Sequence, residues 1–192
     1  FMDSQGRELH GSTRRLHTLT SLGLQAWHEA EGKHLQSVWD ACCTYFFRNP
    51  YDTWFRSLDQ VISGTGCSYY DERRPACHLD LIPYATTSKW TQLPTRTRAG
   101  LMSRSGDTLG LLLRDSSVRL IVLNGQSVVA GLERLAGVTF VRRKMPEWTL
   151  PRNSGSGIAG VSYSGVVTQV GGVSLGRSDH VLGYNHNIQS SS

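Results

Sequence analysis

Apolar residues return at three- and four-residue steps between Lys33 and Arg48: Leu35, Val38, Trp39, Cys42, Tyr45 and Phe46. That spacing draws one stripe along a helix and predicts a buried face. Asn49-Pro50 stops the run, because the residue before a proline is pushed out of the helical region. A second helix follows, with Trp54, Phe55, Leu58, Val61 and Ile62 on one face and an end near Gly64. Upstream of both, residues 1 to 24 are polar, basic and punctuated by Gly6, Gly11 and Gly23, the pattern of a loop leading into a short helix.

After a polar loop over residues 67 to 76 the pattern changes. Cys77-His78-Leu79-Asp80-Leu81-Ile82-Pro83 reads as a short strand broken by its proline. Residues 84 to 95 are a loop rich in Thr, Ser and Pro, and Arg96 to Leu113 reads as a helix despite Gly106 and Gly110. Val118 to Leu123 is the clearest strand, and its nearly continuous apolar run suits burial on both faces of a parallel sheet. Asn124-Gly125 ends it, and Ser127 is placed to cap a helix from Val128 to Leu135. Residues 138 to 150 hold an outer strand and a loop. Ile158 to Tyr163 and Val166 to Val170 pair as a hairpin around Ser164-Gly165, and His180 to Tyr184 is a last strand. Strands alternating with helices predict an α/β sandwich with a largely parallel central sheet.

The length, 192 residues and 21.3 kDa, suits one domain with a full core. A charged fraction of 18% and a hydrophobic fraction of 39% argue against disorder and coiled coil. No apolar run approaches the roughly 18 residues of a membrane span, so no membrane partner is expected. The net charge of +5 permits a polyanionic partner without demanding one. The vicinal pair Cys42-Cys43 lies in an apolar run and reads as buried thiols. Cys67 and Cys77 complete no zinc spacing, and without an export signal the expectation is a reduced, cytoplasmic protein. The chain starts Phe1-Met2-Asp3, so further residues are expected upstream.

Ligands of such sheets sit at the carboxyl ends of strands, which directs attention to Asp80, Leu123 and Tyr184. Asp80 among Leu79, Leu81 and Ile82 is a carboxylate in apolar company, which needs a partner or a function. The last strand runs into Asn185-His186-Asn187-Ile188-Gln189-Ser190-Ser191, a set of neutral donors suited to a polar uncharged ring or a developing anion. Gly172-Val173-Ser174-Leu175-Gly176 matches Gly-x-Ser-x-Gly, but a nucleophile elbow needs a helix after the serine and a strand follows instead. No phosphate-binding glycine loop is present. Basic clusters at Arg14-Arg15, Arg73-Arg74, Arg96 with Arg98, and Arg142-Arg143-Lys144 lean toward a phosphate backbone.

In order and motif, residues 75 to 192 resemble the uracil-DNA glycosylase superfamily. The resemblance rests on Leu120-Ile121-Val122-Leu123-Asn124-Gly125-Gln126-Ser127 and on Gly183-Tyr184-Asn185-His186-Asn187-Ile188-Gln189-Ser190-Ser191. It implies a three-layer α/β/α sandwich with a short, mainly parallel central sheet, and a monomeric DNA glycosylase in a bacterial-type, nucleoid-associated setting. It implies no metal or organic cofactor. His186 would hydrogen-bond the base carbonyl and stabilise the departing base anion. Asn187 stands where the family usually has Pro or Ser. Ser190 and Ser191 would press on the DNA backbone, together with Arg14, Arg15 and Arg96, while Tyr84 or Tyr184 would stack on the base. The family's water-activating motif is not found in the chain and is expected upstream of Phe1.

Asp80 matches a position that is commonly an amide in the uracil enzymes. An ionised carboxylate only accepts hydrogen bonds, so it would repel a uracil carbonyl and welcome an exocyclic amine. Asp80 therefore points to a modified cytosine, as in phage DNA, with uracil retained if the acid is protonated. Two other readings stay open: a non-catalytic DNA-binding module on the same fold, and an unrelated small-molecule hydrolase using Ser174.

Overall fold

The computed structural model describes residues 16–48, 52–83, 88, 90–151 and 157–187. The chain divides into two compact units, one up to Cys77 and one from His78.

The first unit is helical. Helix α1 (Leu19–Leu22) is capped by Thr18, whose hydroxyl accepts from the Ser21 amide, and ends at Gly23 with φ of +71°. Helix α2 (Gly32–Cys43) and helix α3 (Tyr45–Arg48) divide at Thr44 the single helix expected up to Arg48. Helix α4 (Asp52–Ser63) buries Phe55, Leu58 and Ile62, as its spacing implies, but leaves Val61 exposed. The core is aromatic: Phe46 packs on Phe55, Tyr69 and Tyr70 at centroid distances of 4.9–5.6 Å. Asp59 ties the following loop to α4 by accepting from the Tyr69 amide at 2.7 Å and from the Ser68 hydroxyl. The stripe expected to be buried on α2 is instead exposed at Leu35, Trp39 and Cys42, and Cys43 is exposed with it. Among the described residues the aromatic cluster is built from α3, α4 and the loop, not from the apolar residues of α2.

The second unit is a mixed α/β layer structure. Helix α5 (Thr95–Arg114) leads to strand β1 (Leu120–Asn124), helix α6 (Gln126–Ala136), strand β2 (Val141–Leu150), strand β3 (Ile158–Val170) and strand β4 (Val173–Tyr184). The sheet order is β1-β4-β3-β2. β1 runs parallel to β4, while β4 with β3 and β3 with β2 are antiparallel. The described strands therefore do not make a mainly parallel sheet. The reason is the turn. Gly171 and Gly172, with φ of +58° and +80°, join β3 to β4 in a tight hairpin that forces antiparallel pairing.

That hairpin also displaces the one expected at Ser164-Gly165, which lies inside the single long strand β3. Gly165 is there for packing, because the Phe140 ring lies where its side chain would stand. Gly106 and Gly110 in α5 have the same origin. Gly110 lets the Val170 carbonyl approach the helix, and Gly106 receives the Gly171 backbone and Leu135 of α6. Two residues that weakened the helix by propensity thus bring it onto the sheet.

α5 and α6 lie on one face of the sheet, against Leu123, Tyr163, Val167, Val170, Leu175 and Val181. The second face carries exposed apolar residues, among them Val141 at 69% and Leu182 at 46% exposure, with Val166 and Leu120. β1 lies at the edge of the described strands and only its Leu123 is buried, so the burial on both faces expected for it is not observed.

Beneath the helices lies one ion pair. Asp179 is fully buried and accepts from Arg177 Nε at 2.8 Å. Arg177 also donates to the carbonyls of Leu113 and Arg114 at the end of α5 and to that of Val118 just before β1. Replacing Arg177 by Ala should lower the unfolding free energy by about 3–5 kcal/mol, since it strands a buried carboxylate. Urea denaturation should show the loss, and the double replacement Arg177→Leu with Asp179→Leu should recover much of it.

Candidate functional site at the ends of β1 and β4

The parallel pairing sets Asn124 opposite Tyr184 at the carboxyl ends of the two strands. Beyond that row the two chains stay bonded. The Gly125 amide donates to the Tyr184 carbonyl at 3.0 Å, and the Gln126 amide donates to the Asn185 carbonyl at 3.1 Å. Gly125 takes φ of +100° and ψ of 149°, a conformation close to glycine-only, so the chain turns directly from β1 into α6. Asn187 packs over Gly125, where an added Cβ would lie 3.4 Å from the Asn187 Cβ. The helix begins at Gln126 with Gly125 as its cap residue, so Ser127 is not the cap the sequence implied.

The loop after β4 divides its labour. Asn185 is structural. Its amide donates to the Ala159 carbonyl and accepts from the Val161 amide, both at 2.8 Å, prolonging the pairing of β4 with β3. His186 Nε2 lies 2.7 Å from the Trp148 carbonyl. Tyr184 is half-buried, and its hydroxyl is buried without a hydrogen-bond partner among the described residues. Burial pushes that phenol up to about 12, so it stays a neutral hydroxyl at ordinary pH. The ends of β1 and β4 thus gather Asn187, Tyr184 and Asn124 at the amino end of α6, while His186 turns to the Trp148 carbonyl of β2.

Asp80 is placed differently from expectation. Cys77 to Pro83 is irregular rather than a strand, and Asp80 is exposed. Its carboxylate is solvated, so the argument from a costly buried charge does not apply to it. The neighbouring Leu81 packs tightly onto Gly131 of α6 beside Met102. Gly131 lies six residues beyond Gly125, or about 9 Å along the helix axis. The Asp80 segment and the His186 loop therefore meet the same helix, at separate points. The sequence reading missed His78, two residues before Asp80. Burial lowers its pKa, and the Asp80 carboxylate partly offsets that by favouring the charged ring.

Arg96 is exposed in the first turn of α5, where the helix dipole disfavours a cation, and so adds nothing to helix stability there. Arg98 lies one turn in, donating to the Thr95 hydroxyl at 3.3 Å. Arg142 is committed elsewhere, paired with Glu133 at 3.1 Å and lying over the Tyr163 ring. Arg74 pairs with Asp71. Arg14, Arg15, Tyr84, Ser190 and Ser191 lie outside the described residues. Ser174 stands near the start of β4, with strand and not helix after it, which rules out a nucleophile elbow there.

Among the described residues, no cluster of three or more His, Cys, Asp or Glu side chains could hold a metal ion, and no helix is long and apolar enough to cross a membrane. No protein-family model, curated protein or solved structure matches the chain.

The His78–Asp80 coupling has a definite sign. Asp80→Asn removes the group that favours the imidazolium, so the His78 pKa should fall further. A pH titration of the His78 ring resonances by NMR should show this; an unchanged or raised midpoint would contradict the coupling.

Proposed function

We propose that the chain is a DNA glycosylase that holds a flipped base at the carboxyl ends of β1 and β4. The supporting observation is the loop after β4, which sets Asn187 against the Asn124-Gly125 turn at the amino end of α6 and, one residue earlier, His186 against the Trp148 carbonyl. This is the position where open α/β sheets bind their ligands. It is rich in neutral hydrogen-bonding groups and poor in charge, which suits a nucleobase better than a phosphorylated or acidic metabolite.

In this reading the base is drawn from the stack into the site, against an unstacking cost of a few kcal/mol. His186 contacts the base edge, Tyr184 offers a ring face, and Arg96 meets the phosphate backbone. Asp80 approaches from the other contact on α6 and accepts from an exocyclic amine, which favours a modified cytosine over uracil. Cleavage of the glycosidic bond passes through an oxocarbenium-like state, whose positive charge the DNA phosphates share. The reading carries with it a three-layer α/β/α sandwich with further parallel strands. The exposed Leu120, Val141, Val166 and Leu182 are residues that a third layer would cover.

The test is abasic-site formation on duplexes that each carry one uracil or one modified cytosine. Base release is expected with the unaltered protein. His186→Ala should slow it at least about tenfold, or roughly 1.4 kcal/mol of transition-state stabilisation. Asp80→Asn should shift preference toward uracil. No release from any duplex sinks the glycosylase reading; an unchanged preference sinks the role of Asp80.

A further inference from the structure

The pairing of β2 with β3 breaks beyond Met145. Met145 faces Gly160 and Leu150 faces Ile158, five steps along β2 against two along β3. Pro146 to Thr149, four residues opposite the single Ala159, leave the ladder as a bulge. Proline suits that position because it has no amide hydrogen to offer the ladder. The bulge lies tight on β3 only because residue 160 is glycine. A methyl group there would collide with Trp148 Cβ and the Met145 carbonyl oxygen. Bulges of this kind re-aim groups beside functional sites. This one carries the Trp148 carbonyl to 2.7 Å from His186 Nε2.

A carbonyl oxygen accepts and never donates, so Nε2 bears the proton. In the neutral ring Nδ1 is then a bare lone pair. We propose that the β2 bulge is a positioning device for His186: it holds the Nε2–H tautomer and leaves Nδ1 as the open acceptor of the site. The group recognised by neutral His186 is therefore an N–H or O–H donor, in place of the base carbonyl that the resemblance implies for it. The logic is that of a base steadied by a second group, with a backbone carbonyl in the steadying role. Only the source of that donor rests on the glycosylase reading, since the tautomer follows from the fold alone.

Long-range proton–nitrogen correlation NMR on the whole chain, with nitrogen-15 in its histidines and the rings neutral, reads the tautomer directly. The expected result is a proton on Nε2 and a bare Nδ1 at His186. Gly160→Ala should lift the bulge and abolish the single tautomer, whereas Trp148→Ala, which keeps the carbonyl, should preserve it. A proton on Nδ1 in the unaltered protein overturns the proposal. So does a folded Gly160→Ala variant that keeps one Nε2–H tautomer. Should Gly160→Ala fail to fold, the unaltered protein and Trp148→Ala still decide. The expected tautomer together with no base release leaves this proposal standing and removes the glycosylase reading alone.

Discussion

The second unit hangs on one buried guanidinium–carboxylate pair. Arg177 closes the carboxyl end of α5, holds the run-in to β1 through the Val118 carbonyl, and neutralises Asp179 within β4. Three elements distant in sequence thus share one side chain. The parallel pairing of β1 with β4 begins a few residues further on, at Leu120 opposite His180. Its register sets Asn124 opposite Tyr184, and so brings Gly125 and Asn187 together. The site is assembled at one end of the pair and anchored at the other. Such an ion pair is an expensive way to gain stability, because both charges must leave water. Its value here lies in fixing a register: a slip by one residue would turn every side chain of β1 to the opposite face.

The sequence disclosed elements well where a signal is local. α4 and α5 follow from their spacing, and the Asn124-Gly125 turn from β1 into α6 follows from its glycine. It misled where the reason for a residue lies elsewhere in the chain. Gly165 resembles a turn residue but is small to admit Phe140, while the turn itself falls at Gly171-Gly172. Cys77 to Ile82 has the alternation of a strand, yet pattern specifies faces and not neighbours, and no described strand pairs with it. The same limit applies to α2, whose stripe predicts a buried face but names no surface to bury it against.

The candidate site was legible in part. His186, Asn187 and Tyr184 follow from the polar end of β4; the structure sets Asn187 and Tyr184 beside the start of α6 and His186 against β2. Trp148 did not emerge, because its contribution is a backbone carbonyl delivered by an irregular strand. Pro146 in an otherwise strand-like run was the one trace of that bulge in the sequence. Asn185 would have passed for a ligand contact, yet both ends of its amide are spent on β3.

The two borders of the sheet are not equivalent. On β2 the border carries Arg142, Arg143, Lys144 and Pro146, charges and a proline that discourage any further strand. On β1 the odd-numbered residues turn their peptide groups to β4, as the Arg119 carbonyl and the Gly125 amide do. The peptide groups of Leu120 and Val122 therefore point away from the sheet, and no charged side chain guards them between Leu120 and Asn124. Among the described residues, the sheet is guarded on one side and has no neighbouring strand on the other. Any lengthening of it has a single direction, outward from β1, and would continue beside the strand whose end opens onto the candidate site.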